Sequence, residues 1–319
     1  MLKAHIAHIA RLNHTTMHDD VATLATSAGR MVGTPGHRAA RAYLAERLAG
    51  LGLEPFGDRF ELPYVVDGQS MTNVIGVAKG TDRSLDPLVL AAHYDTCGPL
   101  PGADDNAAAV AIVLAIADRL AAEPAARDVI VALFDGEEPP HFHAESMGSI
   151  HWYRHQRRRP THCAIVLDLV GHDVPIPGLE DLVFITGMES DPGLVFAGGD
   201  PSGLRVQPVL NRYVGDLSDH MIFRANQRPF LFLSCGRWQH YHAPTDTPDK
   251  LNFTKMAAIA ELTETLVRRT SAVELVGPFG GGDSLALELA AARRHFGAQL
   301  QGRAGMDAFV AMAMASFGL

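Results

Sequence analysis

Short apolar runs and helical patterns alternate along the chain. Most of the runs have the length and the β-branched or aromatic content of a strand, and those at 87–92 and 130–134 are apolar at every position. Apolar residues on both faces are typical of a buried strand in a parallel sheet. The runs that predict strands are 60–66, 72–78, 87–92, 130–134, 164–169, 182–186 and 230–234. The first two predict a hairpin at the edge of the sheet.

The segments between these strands predict helices. One begins after Thr34-Pro35-Gly36 and ends near Gly50, because its apolar residues recur at helical spacing and glycine suits a helix end. The helix at 107–120 is apolar nearly all round, which predicts that it is buried. The other predicted helices are 147–155, 254–268 and two more after Gly282.

This alternation of strands and helices predicts an α/β fold with a mixed, mainly parallel central sheet and helices on both faces. The sequence has no internal repeat and no long linker. We therefore expect a single domain over residues 1–319, with a helical C-terminal extension at about 275–319.

Composition and charge narrow the possible partners. The chain has 319 residues, of which 47% are hydrophobic and 20% charged, and its formal net charge is −9. Nucleic-acid binding calls for a basic face, so we expect no nucleic-acid partner. No apolar run is long enough to span a bilayer, and the segment Met1 to His5 lacks the features of a signal peptide. These features predict a cytoplasmic protein without a membrane partner.

The cysteines predict neither disulfides nor a cysteine-held metal. Cys97, Cys163 and Cys235 are odd in number and have no paired spacing. Any metal is therefore expected on His, Asp and Glu side chains.

Acids and histidines cluster at the ends of the predicted strands. These residues are His93, Asp95, Asp104, Asp105, Glu137, Glu138, Asp168 and His242. In an open α/β sheet the carboxyl ends of the strands meet at one edge, so residues distant in sequence converge there. Two imidazoles and several carboxylates without thiolate suit zinc or a similar divalent ion. Of two adjacent glutamates, one can bind metal while the other acts as a base.

Each of these residues also has a simpler interpretation when taken alone. His93 could be a hydrogen-bonded core histidine, and Asp104 and Asp105 could cap the following helix. Asp168 fits such an interpretation poorly, because an unpaired charge on a buried strand is costly. Taken together, the motifs favour a metal site.

The sequence resembles the di-zinc aminopeptidase family, which has a zinc-dependent exopeptidase-like α/β sandwich fold. The family also includes glutamate carboxypeptidases, glutaminyl cyclases and the metal-free ectodomain of the transferrin receptor. The resemblance extends from about Gly33 to Leu251 and rests on motifs that occur in the family's order. These motifs are His93-Tyr94-Asp95, Gly102-Ala103-Asp104-Asp105-Asn106, Glu137-Glu138, Leu167-Asp168 and Tyr241-His242-Ala243-Pro244-Thr245-Asp246-Thr247.

The resemblance implies a role for each motif. Asp105 would bridge two zinc ions, with His93 and Asp168 completing one site and Glu138 and His242 the other. Glu137 would be the general base, and Asp95 would orient the His93 ring. The resemblance also implies a cis peptide bond between Asp105 and Asn106.

The activity implied is removal of the N-terminal residue from a peptide or a small amino-acyl substrate through a metal-activated water. The alternative enzyme is a single-zinc glutaminyl cyclase, which is suggested by an insertion after Glu138. Cyclases place two acids before a histidine where this chain has Ser218-Asp219-His220, and they carry Thr at the position of Asp104. A catalytically dead binding domain is disfavoured because every implied ligand is present.

Other features leave questions open. Phe142, Tyr213, Trp238 and Tyr241 are candidate pocket residues by position only. The last helices could pack on the core or form a dimer contact, and the sequence does not determine the oligomeric state. Paired histidines at His151 and His155 are expected to have packing or surface roles.

Overall fold

The computed structural model describes residues 16–196 and 203–317. The amino-terminal segment from Met1 to His5, which entered the prediction of a cytoplasmic protein, lies outside the described residues. Among the described residues no helix is both long and apolar enough to cross a membrane.

The described strands form one mixed sheet. They are β1 (Glu54–Pro55), β2 (Glu61–Val66), β3 (Gln69–Ala78), β4 (Leu88–His93), β5 (Val129–Phe134), β6 (Cys163–Leu167), β7 (Leu182–Thr186), β8 (Arg205–Pro208) and β9 (Phe230–Ser234). Their order is β1-β3-β5-β4-β6-β9-β7-β8, and β2 pairs with β3. Strands β5, β4, β6 and β9 are parallel, and the predicted hairpin β2–β3 joins them antiparallel through β5.

Helices flank the sheet. They are α1 (16–24), α2 (Pro35–Gly50), α3 (Ala109–Ala122), α4 (Gly148–His151), α5 (Asn211–Val214), α6 (His220–Ala225), α7 (Phe253–Ala272), α8 (Leu285–Phe296) and α9 (Gly302–Phe317). Wider, π-type turns precede α3 and follow α4. The helix predicted at 147–155 is therefore a short α-helix continued by such a turn.

Alternate residues of the central strands pack into cores on opposite faces of the sheet. Leu88 and Leu90 belong to one core with α3 and α7, whereas Val89 and Ala91 belong to the other with Trp152. This alternation follows from the pleat of a strand, in which successive side chains point to opposite faces. The predicted α/β fold with helices on both faces is confirmed.

Strands β1 and β8 were not predicted. Strand β1 has only two residues, and β8 reads Arg205-Val206-Gln207-Pro208, which contains no apolar run. Strand β8 joins the sheet through parallel backbone pairing with β7. No pattern of apolar residues in its sequence indicates this pairing.

Candidate metal centre

The acids and histidines at the strand ends converge at one edge of the sheet. His93 is the last residue of β4, and Asp168 directly follows β6. Glu137 and Glu138 follow β5, and His242 lies in the loop after β9. We call His93, Asp105, Glu137, Glu138, Asp168 and His242 the strand-edge centre.

The ring of His93 faces three of the carboxylates. Its Nε2 atom lies 3.3 Å from Asp105 Oδ1, 3.6 Å from Asp168 Oδ1 and 3.7 Å from Glu137 Oε2. Donor atoms of His93, Asp105 and Asp168 also lie close enough together to hold one metal ion. The first predicted ligand set is therefore assembled in space.

The ring of His242 faces the remaining carboxylates. Its Nε2 atom lies 3.1 Å from Asp105 Oδ2 and 3.1 Å from Glu138. Asp105 thus presents one oxygen to each imidazole, which is the arrangement that a bridging ligand needs.

Several donor atoms of this centre are buried without a hydrogen-bond partner. They include Nε2 of His93 and Oδ1 of Asp168. Buried polar groups are ordinarily paired, so unpaired donors that point at one another call for a cation among them. Two imidazoles with four carboxylates match the ligand preference of zinc. The residues present fit the metal that the resemblance implies.

Burial and neighbouring charges shift the pKa values of Glu137 and His93. Burial raises the pKa of Glu137 well above its usual range, and the charge of Asp168 adds to this effect. Burial opposes protonation of His93, but the facing carboxylates Glu137 and Asp168 raise its pKa well above the ordinary value. Strongly shifted groups gathered in a cleft are characteristic of functional sites.

The pKa values of Glu138 and His242 are shifted as well. Burial and the charge of Asp105 raise the pKa of Glu138 to about 8. Burial lowers the pKa of His242, but hydrogen bonds to Asp105 and Glu138 outweigh burial and raise this pKa to about 9.

Asp95 connects the two halves of the centre. Its carboxylate accepts hydrogen bonds from the backbone N–H groups of Glu137 and Glu138, at 3.0 and 3.1 Å. It also lies 3.4 Å from Nδ1 of His93. The contact with the His93 ring is the one expected from the sequence. The hydrogen bonds to Glu137 and Glu138 were not predicted, and they fix the turn that carries both glutamates.

The turn that presents Asp105 is held from two sides. The Asp105–Asn106 peptide bond is cis, as expected. The Asp246 carboxylate accepts the backbone N–H groups of Asp104 and Asp105 at 2.9 and 3.1 Å. Gly102 precedes the turn at a φ of +59°, and a Cβ there would lie 2.3 Å from the carbonyl oxygen of Asp105.

The side chain of Asp104 does not cap the following helix. It accepts hydrogen bonds from the backbone N–H of Gly171 and from Nδ1 of His172, both at 2.7 Å. Asp104 therefore ties the turn to the segment after β6, which carries Asp168.

Arg30 is a buried cation near the centre that sequence reasoning missed. Its side chain donates to four backbone carbonyls, those of Tyr94, Leu24, Pro101 and Gly102. Burial lowers its pKa to about 10, while nearby acids led by Asp105 oppose that shift. Arg30 thus joins the end of β4 to the loop before the cis peptide. An isolated arginine between α1 and α2 shows no motif that would have identified it.

Cys97 also lies at the edge of the centre. Its sulfur groups with donor atoms of Glu138 and His242 within metal-binding distance of one another. Burial raises the pKa of the Cys97 thiol to about 11, and the acids Glu138 and Asp105 contribute. The sequence analysis expects the metal on His, Asp and Glu side chains alone, and so it does not include Cys97.

A cavity of about 520 Å³ opens beside the centre. Phe142, Tyr213 and Tyr241 line it, as their positions suggested. Trp238 is not part of the lining, because its ring stacks on that of His172 at 4.4 Å. His151 stacks on Tyr64 at 4.1 Å, which is the packing role expected for it.

The geometry agrees with the comparisons to known proteins. One curated relative is 27% identical over 237 residues, which cover 63% of this chain and 72% of the relative. It is described as the uncharacterized protein YfbL of Escherichia coli.

Solved structures share the fold at low sequence identity. A leucine aminopeptidase precursor from Bacteroides thetaiotaomicron has a TM-score of 0.64 and 20% identity, covering 80% of this chain and 96% of that one. A glutaminyl cyclase from the same organism also has a TM-score of 0.64 and 20% identity, with coverages of 80% and 97%. The exopeptidase-like sandwich is confirmed.

The model of peptidase family M28 matches residues 73–267, which is more than half of the chain. The match includes every residue of the strand-edge centre. The chain therefore belongs to peptidase family M28.

Proposed function

We propose that the protein is a zinc-dependent aminopeptidase that hydrolyses the amino-terminal peptide bond of its substrate. The observation that carries the proposal is the position of Asp105, whose two carboxylate oxygens face the imidazoles of His93 and His242 at 3.3 and 3.1 Å. A carboxylate shared between two imidazole-containing donor groups is suited to a pair of metal ions.

In this proposal the donor groups hold two zinc ions per chain. His93, Asp168 and Asp105 would bind one ion, and His242, Glu138 and Asp105 would bind the other. Bound zinc would polarise the scissile carbonyl and lower the pKa of the attacking water. Asp95 orients the His93 ring through Nδ1, as carboxylates beside metal-bound histidines usually do.

Glu137 is the residue we assign as general base. It faces the His93 side of the centre and lies on the turn that Asp95 holds through two backbone N–H groups. Its carboxylate takes a proton from the attacking water and then gives that proton to the leaving amine, so the residue returns to its starting state. A neighbouring divalent cation favours the carboxylate form that this role requires.

A glutaminyl cyclase is the second candidate, and Asp219 is the observation that favours it. Burial raises the pKa of Asp219 to about 7, and the nearby charge of His93 partly opposes that shift. Cyclisation needs a group that carries a proton from the attacking amine to the departing ammonia, and an acid titrating near neutrality suits that task. The neighbouring position is Ser218, so this chain has one acid where cyclases have two.

Mass spectrometry of a peptide mixture with varied amino termini tests the proposal. After incubation with zinc-loaded protein, we expect stepwise loss of amino-terminal residues. Loss of ammonia from peptides that begin with Gln, without shortening, would identify a cyclase instead. Intact peptides throughout would favour a binding domain.

A further inference from the structure

The cavity beside the strand-edge centre has a wall made by the C-terminal helices. Helices α8 and α9 contribute five lining residues, which are Phe296, Met306, Phe309, Val310 and Ala313. Both helices lie beyond residue 267, where the match to family M28 ends. We call these two helices the helical wall. The wall belongs to this chain's own sequence rather than to the matched part of the family.

The cavity floor is formed by neighbouring strands at one end of the sheet. Leu182, Phe184 and Thr186 alternate along β7 and so point to the same face. Phe232 on β9 pairs with Thr186 and also lines the cavity. The floor is therefore largely apolar.

The strand-edge centre forms one side of the cavity. Glu137, Glu138, Asp105, Asp168 and His242 all line it. One cavity thus extends from the proposed reacting position to the helical wall. Any group of the substrate next to the scissile bond could extend into it.

Polar contacts and a small core fix the wall in place. Arg303 of α9 pairs with the buried Glu288 of α8 at 2.6 Å. Gln207 of β8 donates to the carbonyl oxygen of Glu288 at 3.4 Å. Met306 and Ala292 are fully buried between the two helices.

The wall is also tied to the segment in front of the cavity. Asp307 of α9 accepts a hydrogen bond from Arg212 at 2.6 Å and another from the Tyr213 hydroxyl. Tyr213 lines the cavity together with Phe309. The wall is therefore held against both the sheet and α5, so its apolar face is preorganised.

We propose that the helical wall determines specificity and that the preferred substrate carries a large apolar group beside its amino-terminal peptide bond. This inference rests on the proposed aminopeptidase activity. Ligand pockets of roughly 300–1,000 Å³ enclose ligands of drug size. A cavity of about 520 Å³ therefore has room for an aromatic or long aliphatic side chain and leaves a small one in poor contact. Apolar groups that fill it gain the most from leaving water.

The first test narrows the cavity from the wall. Ala313 lines the cavity, whereas its neighbour Met312 is 59% exposed, so Ala313→Trp and Met312→Trp form a matched pair. Zinc-loaded full-length proteins would be assayed on phenylalanyl and alanyl coumarinylamides. We expect wild type to prefer the phenylalanyl substrate by at least about tenfold in kcat/KM, since an added apolar group of this size commonly contributes that much.

Ala313→Trp should remove most of that preference, because the added ring takes up the space that the phenylalanyl side chain fills and the alanyl side chain does not. Met312→Trp should keep the preference. Ala313→Leu, a smaller insertion, should give an intermediate loss and guards against misfolding of the Trp variant. An unchanged preference in both Ala313 variants overturns the assignment of the wall.

The second test does not depend on catalysis. N-phenyl-1-naphthylamine, a neutral apolar fluorophore, would be titrated into the metal-free full-length proteins. We expect binding to wild type and to Met312→Trp, and at least about tenfold weaker binding to Ala313→Trp. Equal binding to all three proteins contradicts the inference.

The two tests also separate the two proposals. If no coumarinylamide is hydrolysed but the fluorophore distinguishes the variants, the aminopeptidase proposal fails and the apolar wall stands. If both substrates are hydrolysed equally well and the fluorophore does not distinguish the variants, the aminopeptidase proposal stands and the wall assignment fails.

Discussion

The strand-edge centre and the helical wall face each other across one cavity, yet they are built in opposite ways. The centre draws charged residues from the ends of three parallel strands and from two loops, all within the part that matches family M28. The wall is made of two helices that follow each other in the sequence beyond that part, and its cavity-facing residues are apolar. The centre has unpaired buried donors such as His93 Nε2, whereas the wall packs its own core around Met306.

This difference indicates that substitutions in the two regions can change the reaction and the substrate selectivity independently. The centre requires several distant segments to remain in register, because Asp95 and Asp246 each hold backbone groups that present the proposed ligands or base. The wall contacts the substrate space from outside that network. Substitutions in the wall should therefore alter which substrate is accepted, and substitutions in the centre should alter the rate for every substrate.

The largest effect is expected from Glu137→Gln. Removing the proposed base should lower kcat by about 10²–10⁴-fold for large and small substrates alike. Zinc content should stay close to that of wild type, since Glu137 is not assigned as a ligand. Kinetics on both coumarinylamides and metal analysis of the same preparation check this prediction. Loss of zinc from the variant would make Glu137 a ligand and contradict its role as base.

A smaller effect is expected from Asp95→Asn. The amide keeps the size of the side chain but loses the charge beside His93 and the preferred acceptor of the Glu137 and Glu138 N–H groups. Loss of such a partner typically costs 10–100-fold in metal affinity or activity, so we expect about that loss of zinc affinity. Zinc titration against a competing chelator measures it. Wild-type affinity would show that Asp95 does not support the ligand set.

The smallest effect is expected from Asp307→Ala in the wall. The Arg212–Asp307 pair is about half exposed, and exposed ion pairs contribute little to stability because water and salt screen them. The free energy of unfolding, measured by urea denaturation, should therefore barely change. Alanyl hydrolysis should be unchanged, while the phenylalanyl preference weakens by about twofold at most. A loss of all activity would show that wall and centre are not independent.

Sequence reasoning located the strand-edge centre because parallel strands deliver their carboxyl ends to one edge. His93, Glu137 and Asp168 each follow an apolar run, so their convergence could be predicted without coordinates. The same reasoning predicted the central strands and the two last helices.

Other parts depended on contacts that leave no local pattern. Arg30 reaches carbonyls more than sixty residues away, and β8 forms through backbone pairing with β7. The helical wall was predicted as helices, but its position was not, because Ala, Met and Phe at helical spacing suit any apolar neighbour. Only the fold shows that this neighbour is the cavity beside the proposed ligands.

The central claim is that the strand-edge centre binds two metal ions through a shared carboxylate. Anomalous scattering at the zinc absorption edge, recorded from crystals of the zinc-loaded protein, tests it most directly. We predict two peaks, one among His93, Asp105 and Asp168 and the other among Asp105, Glu138 and His242. A single peak, or peaks away from Asp105, would contradict the two-ion centre.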